Sequence, residues 1–207
     1  ASTNHGISIS DTATINVTKS GGSLALGGII SGSGGTLVKD GLGQLSICYT
    51  ATNLVKGVEL RKGVLAQGDW RAGFGTAPLH VTGTATFRFV ANQSMSTIPY
   101  MKQAVTVDSL AKLTIDGAYR AGLQGSFAGK GSVIVNAGGV RFDISSNFSN
   151  ALKNSLTFKP EDLKELDATA YRQRRYLRHL RRSAILKYRI EGLVLSLFPR
   201  HMCAAYK

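Results

Sequence analysis

The chain has 207 residues, 25 Lys and Arg against 12 Asp and Glu for a formal charge of +13, 24 glycines, 2 cysteines and 43% hydrophobic residues. Apolar content on this scale can build a core, which argues against wholesale disorder. No run approaches the ~18 apolar residues of a spanning helix, and two cysteines exclude a disulfide-dense scaffold or a four-cysteine zinc site. The sequence begins at Ala1 rather than Met, which reads as a signal peptide removed or as a piece of something longer.

Short alternating runs come first: Ala13–Val17, Ser23–Leu26, Gln44–Ile47 and Thr84–Phe89, then Val105–Val107, Lys112–Ile115 and Ser132–Val135. Apolar and polar residues at period two mark half-buried strands. Between them lie Gly21-Gly22, Gly34-Gly35, Gly41-Leu42-Gly43, Gly73-Phe74-Gly75, Gly129-Lys130-Gly131 and Gly138-Gly139. Strands this short, with a bend after each, suit a stack of coils better than a two-sheet sandwich. The expected fold is therefore all-β, a right-handed parallel β-helix (solenoid) over residues 1–155, each strand bonding to its equivalent one coil away. An antiparallel sandwich is the alternative architecture.

Composition changes near Leu156. Residues 1–155 carry 13 basic and 7 acidic side chains, a net +6, and 23 of the glycines; residues 156–207 carry 12 and 5, a net +7, and only Gly192. From Glu161 the apolar residues Leu163, Leu166, Ala170, Leu177, Leu180 and Ala184 fall at helical spacing. This predicts a basic C-terminal α-helical tail running to about Glu191, with Pro160 at its first turn. Arg174, Arg175, Arg178, Arg181 and Arg182 occupy the rest of its circumference and are the candidate polyanion-binding residues. Three readings of the tail stand side by side. It caps the last coil, it engages nucleic acid or an anionic membrane, or it is the product of a frame change or fusion.

No catalytic constellation is legible, so the expectation is a chain that is not an enzyme, with no cofactor and no metal. His5, His80, His179 and His201 are far apart and lack ligand spacing. Cys48 and Cys203 read as free thiols. Some β-helices cleave polysaccharides with clustered carboxylates, and Asp108 with Asp116 and Arg120 is the arrangement here closest to that chemistry.

The segment Gly35-Thr36-Leu37-Val38-Lys39-Asp40-Gly41-Leu42-Gly43-Gln44-Leu45-Ser46-Ile47 resembles the autotransporter-associated β-strand repeat, G-T-L-x-K-x-G-x-G-x-L-x-L. Asn53–Leu65 is similar to the element that follows it, and Gly125–Gly131 echoes the lead-in at Gly27–Gly34. The resemblance implies an exported structural or adhesive passenger of a bacterial surface protein, extracellular or outer-membrane associated. Its partner would be a host or matrix surface ligand such as a polysaccharide. Nucleic acid or anionic membrane would enter only through the tail, and exposed solenoid ends would allow self-association.

Overall fold

A computed structural model describes residues 1–47, 55–67, 75–90, 100–117, 120–137, 141–158 and 187–190. The first coil contributes β1 (Ser2–Thr3), β2 (Ile7–Ser8) and β3 (Thr12–Asn16), and the second β4 (Ser23–Leu26), β5 (Ile30–Ser31) and β6 (Thr36–Asp40). The third holds β7 (Gln44–Ile47) and β8 (Gly57–Leu60), and the fourth β9 (Gly63–Gln67) and β10 (Leu79–Val81). Three strands per coil then return: β11 (Thr84–Phe89), β12 (Tyr100–Met101) and β13 (Ala104–Val107); β14 (Lys112–Gly117), β15 (Arg120–Leu123) and β16 (Ser126–Gly129); β17 (Ser132–Ala137), β18 (Arg141–Ile144) and β19 (Ser149–Leu152). The chain continues into β20 (Ser155–Phe158) and β21 (Lys187–Ile190).

Every strand pairs in parallel with its equivalent on a neighbouring coil. A nine-stranded sheet runs β1-β4-β7-β9-β11-β14-β17-β20-β21 and a seven-stranded one β3-β6-β8-β10-β13-β16-β19, with two smaller sheets closing the third side. This is a parallel β-solenoid of about six turns. The step between rungs is 20 residues from Gln44 to Val64, 23 from Ile7 to Ile30 and 28 from Thr84 to Lys112. Loops between strands absorb the difference, so register on the sheets is kept while coil length varies.

Alternation makes the interior a set of columns. Leu45, Leu65, Phe87, Ile115 and Val135 follow one another on the nine-stranded sheet, facing Leu37, Val58, Leu79, Val105 and Phe127 on the seven-stranded one. All ten are buried in one contiguous core. Phe127 meets Phe148 edge to face at 5.0 Å and 82°, a geometry that aromatic rings favour. At the first coil Ile7, Ala13 and Ile15 pack on this core but stay only half-buried, since nothing is stacked before them among the described residues.

One interior position is charged. Lys39 follows Leu37 at period two, sits between Ile15 and Leu60 in the column, and is 0% exposed. Its Nζ donates to the carbonyls of Asp40 (2.7 Å), Gly41 (2.8 Å) and Lys62 (3.0 Å), the last on the next coil. Three acceptors match the three donors of an ammonium, so the buried charge is fully satisfied. Burial holds the group below its ordinary pKa of 10.5, and Asp40 partly offsets this.

The C-terminal part departs from expectation at two places. Pairing does not stop at residue 155, because β20 carries the nine-stranded sheet on to Phe158. Lys187–Ile190, expected as the last turn of a helix, is a strand lying parallel to β20. An unpaired sheet edge offers backbone partners that an isolated helix end cannot, and here this outweighs the helical spacing. Residues 159–186 and 191–207 lie outside the described residues, and with them Arg174, Arg175, Arg178, Arg181, Arg182, His179, His201 and Cys203; Cys48 does too.

Candidate functional site

Two outward faces and the edge between them carry the polar chemistry. On the seven-stranded sheet the side chains of Glu59 and His80 stand on neighbouring rungs, in direct register. Glu59 Oε1 accepts from Arg61 Nε at 2.7 Å and from Thr82 Oγ1 at 3.3 Å. His80 Nε2 is 2.9 Å from Asp108 Oδ1, both side chains half-exposed. The result is a ladder in which each carboxylate has a partner one rung away or two residues along its own strand. Parallel rungs set the spacing at ~4.8 Å, a pitch that presents donors and acceptors in repeating order.

The bond from Arg61 pulls the Glu59 carboxyl below its ordinary pKa of 4.5, and Thr82 and His80 add to this against the cost of burial. The sign of the linkage follows. A depressed folded pKa stabilises the fold above 4.5, and that contribution is lost as pH falls through the lower folded value. Glu59→Gln is therefore expected to melt slightly below the parent at pH 7, with the difference shrinking below pH 4.5, as thermal melts across that range will show.

On the nine-stranded sheet Arg88 bridges across the strands. Its Nε donates to Asp116 Oδ2 at 3.0 Å on the following rung, and its Nη1 to Gln44 Oε1 at 3.0 Å, two rungs back. Ala66 is the residue in register beneath it and is 0% exposed although it points outward. The flanking outward column reads Ser23, Gln44, Val64, Thr86, Thr114, Ile134 and Thr157.

The carboxylate pair that carbohydrate chemistry would need from Asp108 and Asp116 is not formed. Asp108 directly follows β13 of the seven-stranded sheet and binds His80, whereas Asp116 lies within β14 of the nine-stranded sheet and binds Arg88. Eight residues of separation cross a corner of the solenoid, so the two carboxylates belong to different faces. Arg120 opens β15 on a third side. Among the described residues no group of three or more His, Cys, Asp or Glu could hold a metal ion. His5 and His80 are exposed, as a surface reading expects, though His80 is bonded rather than free.

Lys39 and the Arg88 bridge were not singled out in the sequence. Period two from Leu37 already places Lys39 inward, and that signal identifies it. Arg88 could not be read the same way, because its partners Gln44 and Asp116 are 44 and 28 residues distant. No family model, curated protein or solved structure matches the chain.

Proposed function

We propose that the chain is an exported structural or adhesive module of passenger type, built from autotransporter-associated β-strand repeats wound as a right-handed β-helix and working at or outside the bacterial surface without catalysis. One observation carries this reading. The repeat-like segment 35–47 folds as strand, glycine corner and strand (β6, Gly41–Gly43, β7), and the next repeat-like segment lays β8 on β6 and β9 on β7. Repeat residues that act as stacking units leave the outer faces for recognition.

The test is retention of the full chain on insoluble polysaccharide and on surfaces coated with host matrix proteins. Charge placed on the outward column, Thr86→Glu with Thr114→Glu, is expected to lower retention by roughly tenfold or more, about 1.4 kcal/mol. Retention on none of these surfaces, or retention that ignores both substitutions, contradicts the proposal. A second reading, a basic tail engaging nucleic acid or anionic membrane, is favoured by the net +7 of residues 156–207 (12 basic, 5 acidic). Replacing Arg174, Arg175, Arg178, Arg181 and Arg182 by Gln separates the two, since only the second reading requires retention to collapse.

A further inference from the structure

Cations are not scattered over the solenoid. Nine Lys and Arg residues have described side chains that reach solvent: Lys19, Lys56, Arg61, Lys62, Arg88, Lys102, Lys112, Lys130 and Lys153. Six of them (Lys19, Arg61, Lys62, Lys112, Lys130, Lys153) lie at one edge, where the chain turns from the seven-stranded to the nine-stranded sheet. Backbone pairing puts Lys130 and Lys153 on adjacent rungs, their N–H groups donating to Val107 and Gly129 in turn. The acidic residues nearby are already engaged, Glu59 by Arg61, Asp108 by His80, and Asp40 by the Gly41 N–H. Lys19, Lys62, Lys112, Lys130 and Lys153 therefore have no ion pair among the described residues.

Two leucines rise from the same edge. Leu42 sits at the tip of the Gly41–Gly43 corner, 62% exposed, and Leu110 at the tip of the Asp108–Ala111 turn, 96% exposed. A large apolar side chain held in water at a turn tip, beside unpaired lysines, fits the boundary between lipid headgroups and acyl chains. A soluble polyanion would use the lysines and leave the leucines without a role. Six steps of ~4.8 Å between seven rungs make this a contact line of roughly 29 Å.

We infer that this edge is a docking surface for an anionic lipid bilayer, with the lysines on the headgroups and Leu42 and Leu110 inserted between them. The inference is independent of the adhesive reading and of the tail.

Flotation of the full chain with vesicles tests it, using phosphatidylcholine alone and phosphatidylcholine with equal phosphatidylglycerol. The five tail arginines are first replaced by Gln, which lowers the net charge of residues 156–207 from +7 to +2 and leaves the edge as the main concentration of cations. This background is expected to partition onto the anionic vesicles and not the neutral ones. Adding Lys62→Glu, Lys130→Glu and Lys153→Glu is expected to weaken partition by at least roughly 100-fold, at about fivefold for each lysine lost, with the new carboxylates adding repulsion. Leu110→Ser is expected to weaken it by roughly tenfold with an unchanged salt dependence. Circular dichroism melts identical to the background establish that the variants fold. Partition that survives the triple charge reversal, or that ignores Leu110→Ser, overturns the inference. So does binding of dextran sulfate through the same lysines with no vesicle binding.

Discussion

Gly129→Ala is expected to lower the melting temperature by roughly 10 °C, whereas Gly21→Ala, with a similarly left-handed backbone, lowers it by about half as much. Both glycines have positive φ, +110° at Gly129 and +76° at Gly21. That conformation strains any other residue by about 1–3 kcal/mol. They differ in what stands beside them. A methyl on Gly129 would overlap the backbone carbonyl of Val107 on the preceding coil, while nothing lies within 4 Å of one on Gly21. Overpacking against immobile backbone adds about 1–3 kcal/mol, and at about 2–4 °C per kcal/mol for a chain of this size the two terms reach the stated shift. Thermal melts of the two variants side by side separate backbone strain from coil-to-coil contact. Equal shifts would mean that the coils are not closely stacked at this corner.

Lys39→Met is expected to destabilise the chain by about 2–4 kcal/mol, although it replaces a buried charge with an apolar side chain of similar length. The lysine supplies the donors to the Gly41 and Lys62 carbonyls, and a second donor to the Asp40 carbonyl, which also accepts from the Val17 N–H. Removing them leaves acceptors beside an interior column, each costing about 1–3 kcal/mol where water cannot replace the donor. Lys39→Arg is expected to fare no better, because a planar guanidinium cannot direct three donors into a pocket shaped for an ammonium. Lys62→Ala serves as the control, since Lys62 contributes only its backbone oxygen to this corner. Chemical denaturation gives the three values, and a Lys39→Met variant as stable as the parent would remove the clip from the account.

Much of the architecture was legible because a solenoid writes its contacts in local alternation. Leu45 and Ile47, or Phe87 and Phe89, announce an inward face without any knowledge of the neighbouring coil. The glycine corners at Gly41–Gly43 and Gly129–Gly131 are equally local. What alternation cannot convey is which residues meet across coils. His80 finds Asp108 at a distance of 28 residues, and Arg88 finds Asp116 at the same distance. That step equals the coil between Thr84 and Lys112, the longest of the three compared above. Asp108 and Asp116 stand on different faces for this reason, since eight residues cross a corner while spatial neighbours lie one coil apart. Helical spacing around Lys187 misled in another way, by weighing local periodicity above the pull of the open strand edge of β20.

The central claim is parallel stacking in register, and a spin-label ruler along one outward column tests it most directly. Cysteines at Ser23, Thr114 and Thr157, taken in pairs with Cys48 and Cys203 changed to serine, all belong to the column that runs Ser23, Gln44, Val64, Thr86, Thr114, Ile134, Thr157. Four rungs separate Ser23 from Thr114 and six separate Ser23 from Thr157, so pulsed electron resonance should return distances of about 19 Å and about 29 Å. Distances that grow by ~4.8 Å per rung are the expected result. Distances that fail to lengthen from the first pair to the second, as strands folded back on one another through hairpins would give, contradict it.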